Sequence, residues 1–278
     1  MRLMGHLVRA WQKAPLFWRT GLVASPLAPV VRRWMNRSYS EQPQIFELAA
    51  PLEGQRMRLH WQTQKAFVFG THELEVVRAI QEVVRPGWTV LNIGGHIGYY
   101  ALLLARLAGP SGKVFVFEPS PHIFAVLEEN IRLNACGNVV LENRAVAARS
   151  GRVTLMSNND DPLTSTLSIE HGRPVGEVEA VRLDEYAPLR GQKVRFVQMD
   201  VEGAEAWVLE GMRELLARDR PLLLVELHRW DIEKDRHPAL CKLVEFGYEV
   251  HYLDAPAPQV HVLATARTER RQDSSADR

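Results

Sequence analysis

From residue 72 onward the spacing of apolar positions switches repeatedly between two periods. Leu74, Val77, Ile80, Val83 and Val84 recur near 3.6 residues, which predicts a helix over His72–Val84, stopped by Arg85-Pro86-Gly87. The apolar run Thr89–Ile93 predicts a short strand, Gly94–Gly98 a turn and Tyr99–Leu107 a helix. Lys113–Phe117 is β-rich, and Pro121 is placed to open a helix that runs to about Ala135. Val139–Leu141 predicts a third strand. Residues 150–186 break this rhythm with two β-like pieces, Arg152–Met156 and Val178–Leu183, around a polar loop at Ser157–Asp161. The alternation then resumes: strand Arg195–Met199, helix Ala204–Ala217, strand Pro221–Leu227, helix Pro238–Phe246. Two last strands, Tyr248–Leu253 and Gln259–Ala264, are joined at hairpin length by Asp254-Ala255-Pro256-Ala257-Pro258.

Strands that alternate with helices predict an α/β fold with a mostly parallel sheet covered on both faces, here closed by an antiparallel hairpin. Ligands in such sheets bind outside the carboxyl ends of the strands, where strand order reverses. The segments of interest are therefore the strand tips at 92–98, 118–120, 143–146, 200–203 and 226–229.

Composition narrows the class. The chain has 278 residues, 46% hydrophobic and 24% charged, which excludes a mainly disordered or fibrous protein. A net charge of +1 gives no footprint for nucleic acid. Cys136 and Cys241 are too few for a disulfide scaffold or a Cys-rich zinc module and fit a reducing, cytoplasmic compartment. No apolar run is long enough to span a bilayer, and the basic start lacks the apolar stretch of a signal peptide. Charge is uneven, however. Arg2, Arg9, Lys13, Arg19, Arg32, Arg33 and Arg37 precede the first acid, Glu41, and Trp11, Phe17, Trp18 and Trp34 lie among them. That mixture suits peripheral contact with anionic lipid headgroups. Packing of the arm on the main domain or on a second subunit is the alternative, favoured by Pro15, Pro26 and Pro29, which prevent a long amphipathic helix. The expected organisation is an arm over 1–50, one domain over 51–267 and a disordered tail over 268–278.

The first tip, Leu91-Asn92-Ile93-Gly94-Gly95-His96-Ile97-Gly98-Tyr99-Tyr100, spaces its glycines as G-x-x-x-G. The dinucleotide fingerprint would need glycine at His96 and Tyr99, so a nucleoside ligand without pyrophosphate, such as S-adenosylmethionine, is favoured. A tight turn with no ligand gives the same glycines. Glu118 ends the next strand, 20 residues after Gly98, where a carboxylate can accept hydrogen bonds from a ribose diol. Alone, it could equally cap the following helix. At the fourth tip, Asp200 and Glu202 would share one side of an extended chain, with Gly203 opening the next helix. Glu202 has a purely structural alternative, since a carboxylate stabilises a helix N-terminus. The fifth tip, Glu226-Leu227-His228, puts two polar groups on one strand face. His228 is the first candidate for a general base and Asp200 the second. Asp200 and His228 could also hold Mg²⁺, but a lone pair makes a sparse metal site, so no metal is expected. A hydrogen-bonded structural pair is the remaining reading.

At these residues the sequence resembles the FkbM family of S-adenosylmethionine-dependent methyltransferases. The likeness covers roughly Leu52 to His228. It is carried by Leu91–Tyr100, Val116–Pro119, Asn130–Asn134, Ser165–Leu167, Val181–Glu185 and above all Gln198–Glu205, with its D-V-E-G-A-E block. The resemblance implies a Rossmann-like class I fold on a seven-stranded sheet, and O-methylation of a sugar, polyketide or other hydroxylated small molecule. The implied cofactor set is Asn92, Gly94, Gly95, His96, Gly98, Tyr99, Glu118 and Asp200, and the implied catalytic set is His228, Asp200 and Glu202. Two positions depart from the family pattern. Asn92 stands where Asp is usual beside the cofactor's methionine end, and His96 where Asn is usual. Two rivals remain. A NAD-dependent oxidoreductase is opposed by the missing fingerprint, and a non-catalytic interaction module is supported only by Asn92.

Overall fold

The computed structural model describes residues 39–157, 173–228, 236–253 and 260–267, with positions 12, 29, 33, 36 and 37. The chain enters through an antiparallel ribbon, β1 (Gln44–Glu47) with β2 (Arg56–Leu59), that pairs Gln44 with Leu59. Helices α1 (Trp61–Phe69) and α2 (Leu74–Val83) follow, then β3 (Thr89–Ile93), α3 (Tyr99–Ala108), β4 (Lys113–Phe117), α4 (Pro121–Leu133) and β5 (Val139–Glu142). The break in rhythm is a small separate sheet: β6 (Ala145–Val146), β7 (Gly151–Ser157) and β8 (Arg173–Val181), ordered β6-β8-β7. After two 3₁₀ turns come β9 (Val194–Met199), α5 (Glu205–Gly211), α6 (Arg213–Asp219), β10 (Leu222–Leu227), α7 (Pro238–Glu245), β11 (Tyr248–Tyr252) and β12 (Val260–Ala266).

Seven strands form the main sheet in the order β11-β12-β10-β9-β3-β4-β5. Strand β12 runs antiparallel to both β10 and β11, while the β10–β9–β3–β4–β5 pairings are all parallel. The fold is therefore the Rossmann-like class I methyltransferase sheet, with the closing hairpin expected from the sequence. Its strands read as unbroken apolar runs because both faces are covered. Val90, Val114 and Val116 face one apolar layer with Ile80, Leu102 and Leu127. Leu91, Ile93, Phe115 and Phe117 face the other, with Leu209, Leu216 and Leu243. The ribbon joins the first layer: Phe46, Leu48 and Leu52 are buried there, and Tyr39 stacks on the buried Trp61 at 4.0 Å between ring centroids.

Two sequence expectations are corrected. The helix read over Ala204–Ala217 is two helices, broken at Met212, whose φ of −125° is not helical. The residue before the break is fixed by packing. A Cβ on Gly211 would fall 2.1 Å from the Ala147 carbonyl oxygen, so only glycine lets this helix end touch the β6 segment. The helix expected from His72 starts at Leu74, because Glu73 adopts a left-handed φ of 38°. Of the arm read over 1–50, positions 1–11, 13–28, 30–32, 34, 35 and 38 lie outside the described residues, as do Ser165–Leu167, Arg229, the 254–258 connection and the 268–278 tail.

Candidate active site

Strand order reverses between β3 and β9, and there the tips open a cavity of about 360 Å³. Such a volume is within the usual range for small-molecule sites. Its walls include Gly94, Gly95, His96 and Tyr99 from the β3–α3 turn, Glu118 from the β4 tip, and Asp200 and Glu202 from the β9 tip. Seven of the residues singled out by sequence therefore meet in one space. Gly94 has φ +86°, and a Cβ there would sit 1.7 Å from the Asp200 carbonyl oxygen. Glycine is thus required by the protein's own β9 tip, independently of any ligand. Buried Asn130 locks the same turn from behind: its amide donates to the Ile97 carbonyl at 2.8 Å while its oxygen accepts from the Arg58 N–H at 2.7 Å.

Glu118 is almost fully buried at the cavity wall. One carboxylate oxygen accepts the Ser120 N–H and the other the His96 N–H, both at 2.9 Å. A carboxylate has about four lone-pair sites, so acceptor capacity remains on both oxygens. Burial pushes the carboxyl up to about 7 against the pull of those two N–H groups. A buried acceptor that its own protein leaves half-satisfied fits a ligand diol.

Three sequence candidates stand behind the wall. Asn92 is fully buried, and its amide donates to Gln198 across the β3–β9 pair. It lies behind the residues that line the cavity rather than among them. Gly98 caps α3 with φ +98°. His228 lies just beyond the carboxylates rather than among the lining residues. The extended-chain reading of Asp200 and Glu202 is also corrected. Strand β9 ends at Met199 and the chain turns, with Glu202 at φ +53° and Gly203 at +101°, so α5 starts only at Glu205. That turn brings both carboxylates to one imidazole.

His228 Nδ1 lies 2.8 Å from Glu205 Oε1, which also accepts the Gly203 N–H at 2.9 Å. Its Nε2 faces Glu202 at 3.4 Å, Glu226 at 3.6 Å and Asp200 at 3.7 Å. Burial by itself would lower this imidazole. The Glu205 hydrogen bond and the surrounding carboxylates outweigh it and hold His228 up to about 10. A protonated imidazole has no free nitrogen to take a proton, which weighs against His228 as the general base and towards a positioning role for it. Asp200 is pushed well above the usual carboxylate range by burial and by the charge of Glu226. Glu202 is also raised, chiefly by burial.

The sequence reading missed Glu205, Glu73, His72, Tyr100 and His261. Glu73 and Tyr100 line the cavity, and the Tyr100 hydroxyl donates to Glu73. His261 Nε2 lies 3.3 Å from Glu226 and 3.7 Å from Glu73. Glu205 and Tyr100 had a sequence signal, as the last residues of the D-V-E-G-A-E block and of the Leu91–Tyr100 stretch. Asp200–Glu226–His228 and Glu73–Glu226–His261 each gather three donor atoms within 4.8 Å, so the metal-capable set is richer than the lone pair read from sequence.

This fold, with a cavity of this chemistry at the sheet's switch point, defines a class I S-adenosylmethionine-dependent methyltransferase. The chain belongs to the methyltransferase FkbM domain family, whose model matches residues 92–250. It is similar to the 2-O-methyltransferase NoeI of Sinorhizobium fredii, 28% identical over 169 residues, covering 54% of this chain and 68% of the relative. The hexuronic acid methyltransferase AglP of Haloferax volcanii is 28% identical over 167 residues, covering 59% and 65%. The 31-O-demethyl-FK506 methyltransferase FkbM of Streptomyces tacrolimicus is 27% identical over 220 residues, covering 66% and 83%. Among solved structures, methyltransferase FkbM from Methylobacillus flagellatus aligns with a TM-score of 0.46 at 15% identity, over 89% of this chain and 60% of that one.

Proposed function

We propose that this enzyme moves the S-methyl group of S-adenosylmethionine onto a hydroxyl of a small molecule of the sugar or polyketide kind. The observation that carries the reading is one continuous cavity, with Glu118 and the Gly94-Gly95 turn at one part of its wall and Asp200, Glu202 and Glu226 at another. Gly94, Gly95, His96, Tyr99 and Glu118 would hold the cofactor, with Glu118 accepting from the ribose diol. When bound, the cofactor supplies a methyl carbon already activated by its sulfonium. The protein's task is then to orient the acceptor hydroxyl in line with that carbon and to take its proton. The acidic wall is the place for the acceptor, and with His228 held protonated the proton passes to a carboxylate. The relatives' names, which describe a 2-O-methyltransferase, a hexuronic acid methyltransferase and a 31-O-demethyl-FK506 methyltransferase, support a hydroxylated acceptor.

The test is to incubate the full chain with S-adenosylmethionine and a panel of methyl hexosides, methyl hexuronides and polyketide alcohols. The expected result is S-adenosylhomocysteine together with an O-methyl product. Binding of NAD, with no S-adenosylmethionine bound, would replace this reading by the oxidoreductase one. The two free cysteines, Cys136 and Cys241, support a cytoplasmic site of action. The described residues contain no helix long and apolar enough to cross a membrane, and the basic, tryptophan-bearing arm supports peripheral contact with anionic lipid.

A further inference from the structure

Glu226 occupies a particular place among the charged groups of the cavity. It lies near the carboxyl end of β10, is almost fully buried, and still lines the cavity. Each of its oxygens faces an imidazole: Oε2 lies 3.3 Å from His261 Nε2, and Oε1 lies 3.6 Å from His228 Nε2. Each imidazole meets a further carboxylate: Glu205 lies 2.8 Å from the other nitrogen of His228, and Glu73 lies 3.7 Å from the same His261 Nε2 that faces Glu226. Glu226 is thus flanked by two imidazoles, with side chains from α5, the end of β10, β12 and the residue ahead of α2 gathered around it.

We propose that Glu226 is a further catalytic residue, the carboxylate that receives the acceptor's hydroxyl proton, and that His228 and His261 are positioning residues that keep it ionised and aimed. The proposal rests on the methyl-transfer reading above and assigns its proton. In the step, the hydroxyl oxygen bonds the methyl carbon while the carbon–sulfur bond breaks and its electron pair stays on sulfur. The hydroxyl proton goes to Glu226 and then to solvent.

The neighbouring groups decide between Glu226 and its rivals. Asp200 faces the same space but meets one imidazole, His228 at 3.7 Å, whereas Glu226 meets one on each oxygen; burial and the charge of Glu226 also push the Asp200 carboxyl up. Glu202 shifts in the same direction, chiefly through burial. Burial would raise Glu226 too, yet the hydrogen bond from His261 and the charge of His228 outweigh it and bring Glu226 below its ordinary value. On the far side, Tyr100 is raised well above its usual value and holds its proton towards Glu73, while His72, lowered by burial, lies 3.4 Å from Glu73 rather than beside Glu226. A carboxylate held low is still sufficient. An alcohol oxygen that has gained a methyl group becomes an oxonium far more acidic than any carboxylic acid, so a weak base in the right place takes its proton. His261 lies outside the segment matched by the family model, so one of the two imidazoles comes from the chain's closing hairpin.

The test combines two measurements on the full chain. Carboxyl ¹³C titration of labelled Glu and Asp should find Glu226 below the ordinary glutamate value of about 4.3 and Asp200 above the ordinary aspartate value of about 3.9. Glu226→Gln should lower kcat for the best methyl hexoside by about 10²–10⁴ while leaving the S-adenosylmethionine Kd within about twofold. Glu226→Asp should restore part of the rate, and His261→Gln should move the acidic limb of the pH–rate profile upward. Glu226 titrating above Asp200 overturns the proposal, as does Glu226→Gln retaining more than about a tenth of the rate. If the wild-type chain turns over none of the hydroxyl acceptors, the methyl-transfer reading fails, and the titration alone decides whether Glu226 is the ionised partner.

Discussion

At the scale of single residues, burial sets the chemistry of this site more than residue type does. Glu118 is an ordinary carboxylic acid made nearly neutral-titrating by its surroundings. If its ionised form is what a ribose diol requires, cofactor affinity depends on pH in a fixed direction. The raised carboxyl is charged above about 7 and protonated below it, so affinity should be flat at alkaline pH and fall by about tenfold near pH 6. Calorimetry across that range checks it, and a pH-independent affinity would remove Glu118 from the cofactor contact. Asn92 makes the opposite case. The family comparison alone would have Asn92→Asp tighten cofactor binding by restoring a charge. In the structure that charge would be fully buried against Gln198, away from the cavity wall. The expected outcome is a loss of about 1–3 kcal/mol of folding stability in urea melts, with no gain in affinity. Tighter binding at unchanged stability would show that the side chain reaches the ligand.

The elements were legible in the sequence to the extent that their apolar period was uninterrupted. Strands β3 and β4 match their expected bounds residue for residue, because runs buried on both faces leave no ambiguous end. The pair α5–α6 was not legible as two helices, and the Gly211 contact with Ala147 beside the break is a tertiary event that local spacing cannot report. The same holds for the site. Glycine spacing and strand-tip carboxylates exposed Gly94, Glu118, Asp200 and Glu202, all local signals. His261 and Glu73 reach Glu226 from remote positions in the chain, and no motif marks them. The β3–α3 turn gives a prediction at this scale. Gly94→Ala would force a Cβ onto the Asp200 carbonyl in a left-handed backbone, and should cost at least about 2 kcal/mol. Thermal unfolding measures it, and a melting temperature within a degree of the parent would contradict the close approach between the β3 and β9 tips.

Across the whole molecule, the sheet's switch point collects donors from both halves of the chain, and the N-terminal ribbon closes the first layer of the core. Tyr39 stacked on Trp61 marks where that layer begins among the continuously described residues. Deleting residues 1–38 therefore keeps this contact and removes the basic, tryptophan-bearing arm. The truncated chain should retain cofactor affinity and lose binding to anionic vesicles at low salt, as read by co-sedimentation. Vesicle binding that is absent in the full chain would end the lipid reading of the arm.

Binding of S-adenosylmethionine through Glu118, in the cavity between the β3–α3 turn and the β4 and β9 tips, is the step on which the other proposed roles depend. Calorimetry of S-adenosylmethionine with the full chain and with Glu118→Ala tests it most directly. Saturable binding to the parent and a loss of about 1.5–3 kcal/mol in the folded variant, the scale of hydrogen bonds to a charged group, are the expected results. Equal affinity in the two proteins, or no binding to the parent, would contradict it.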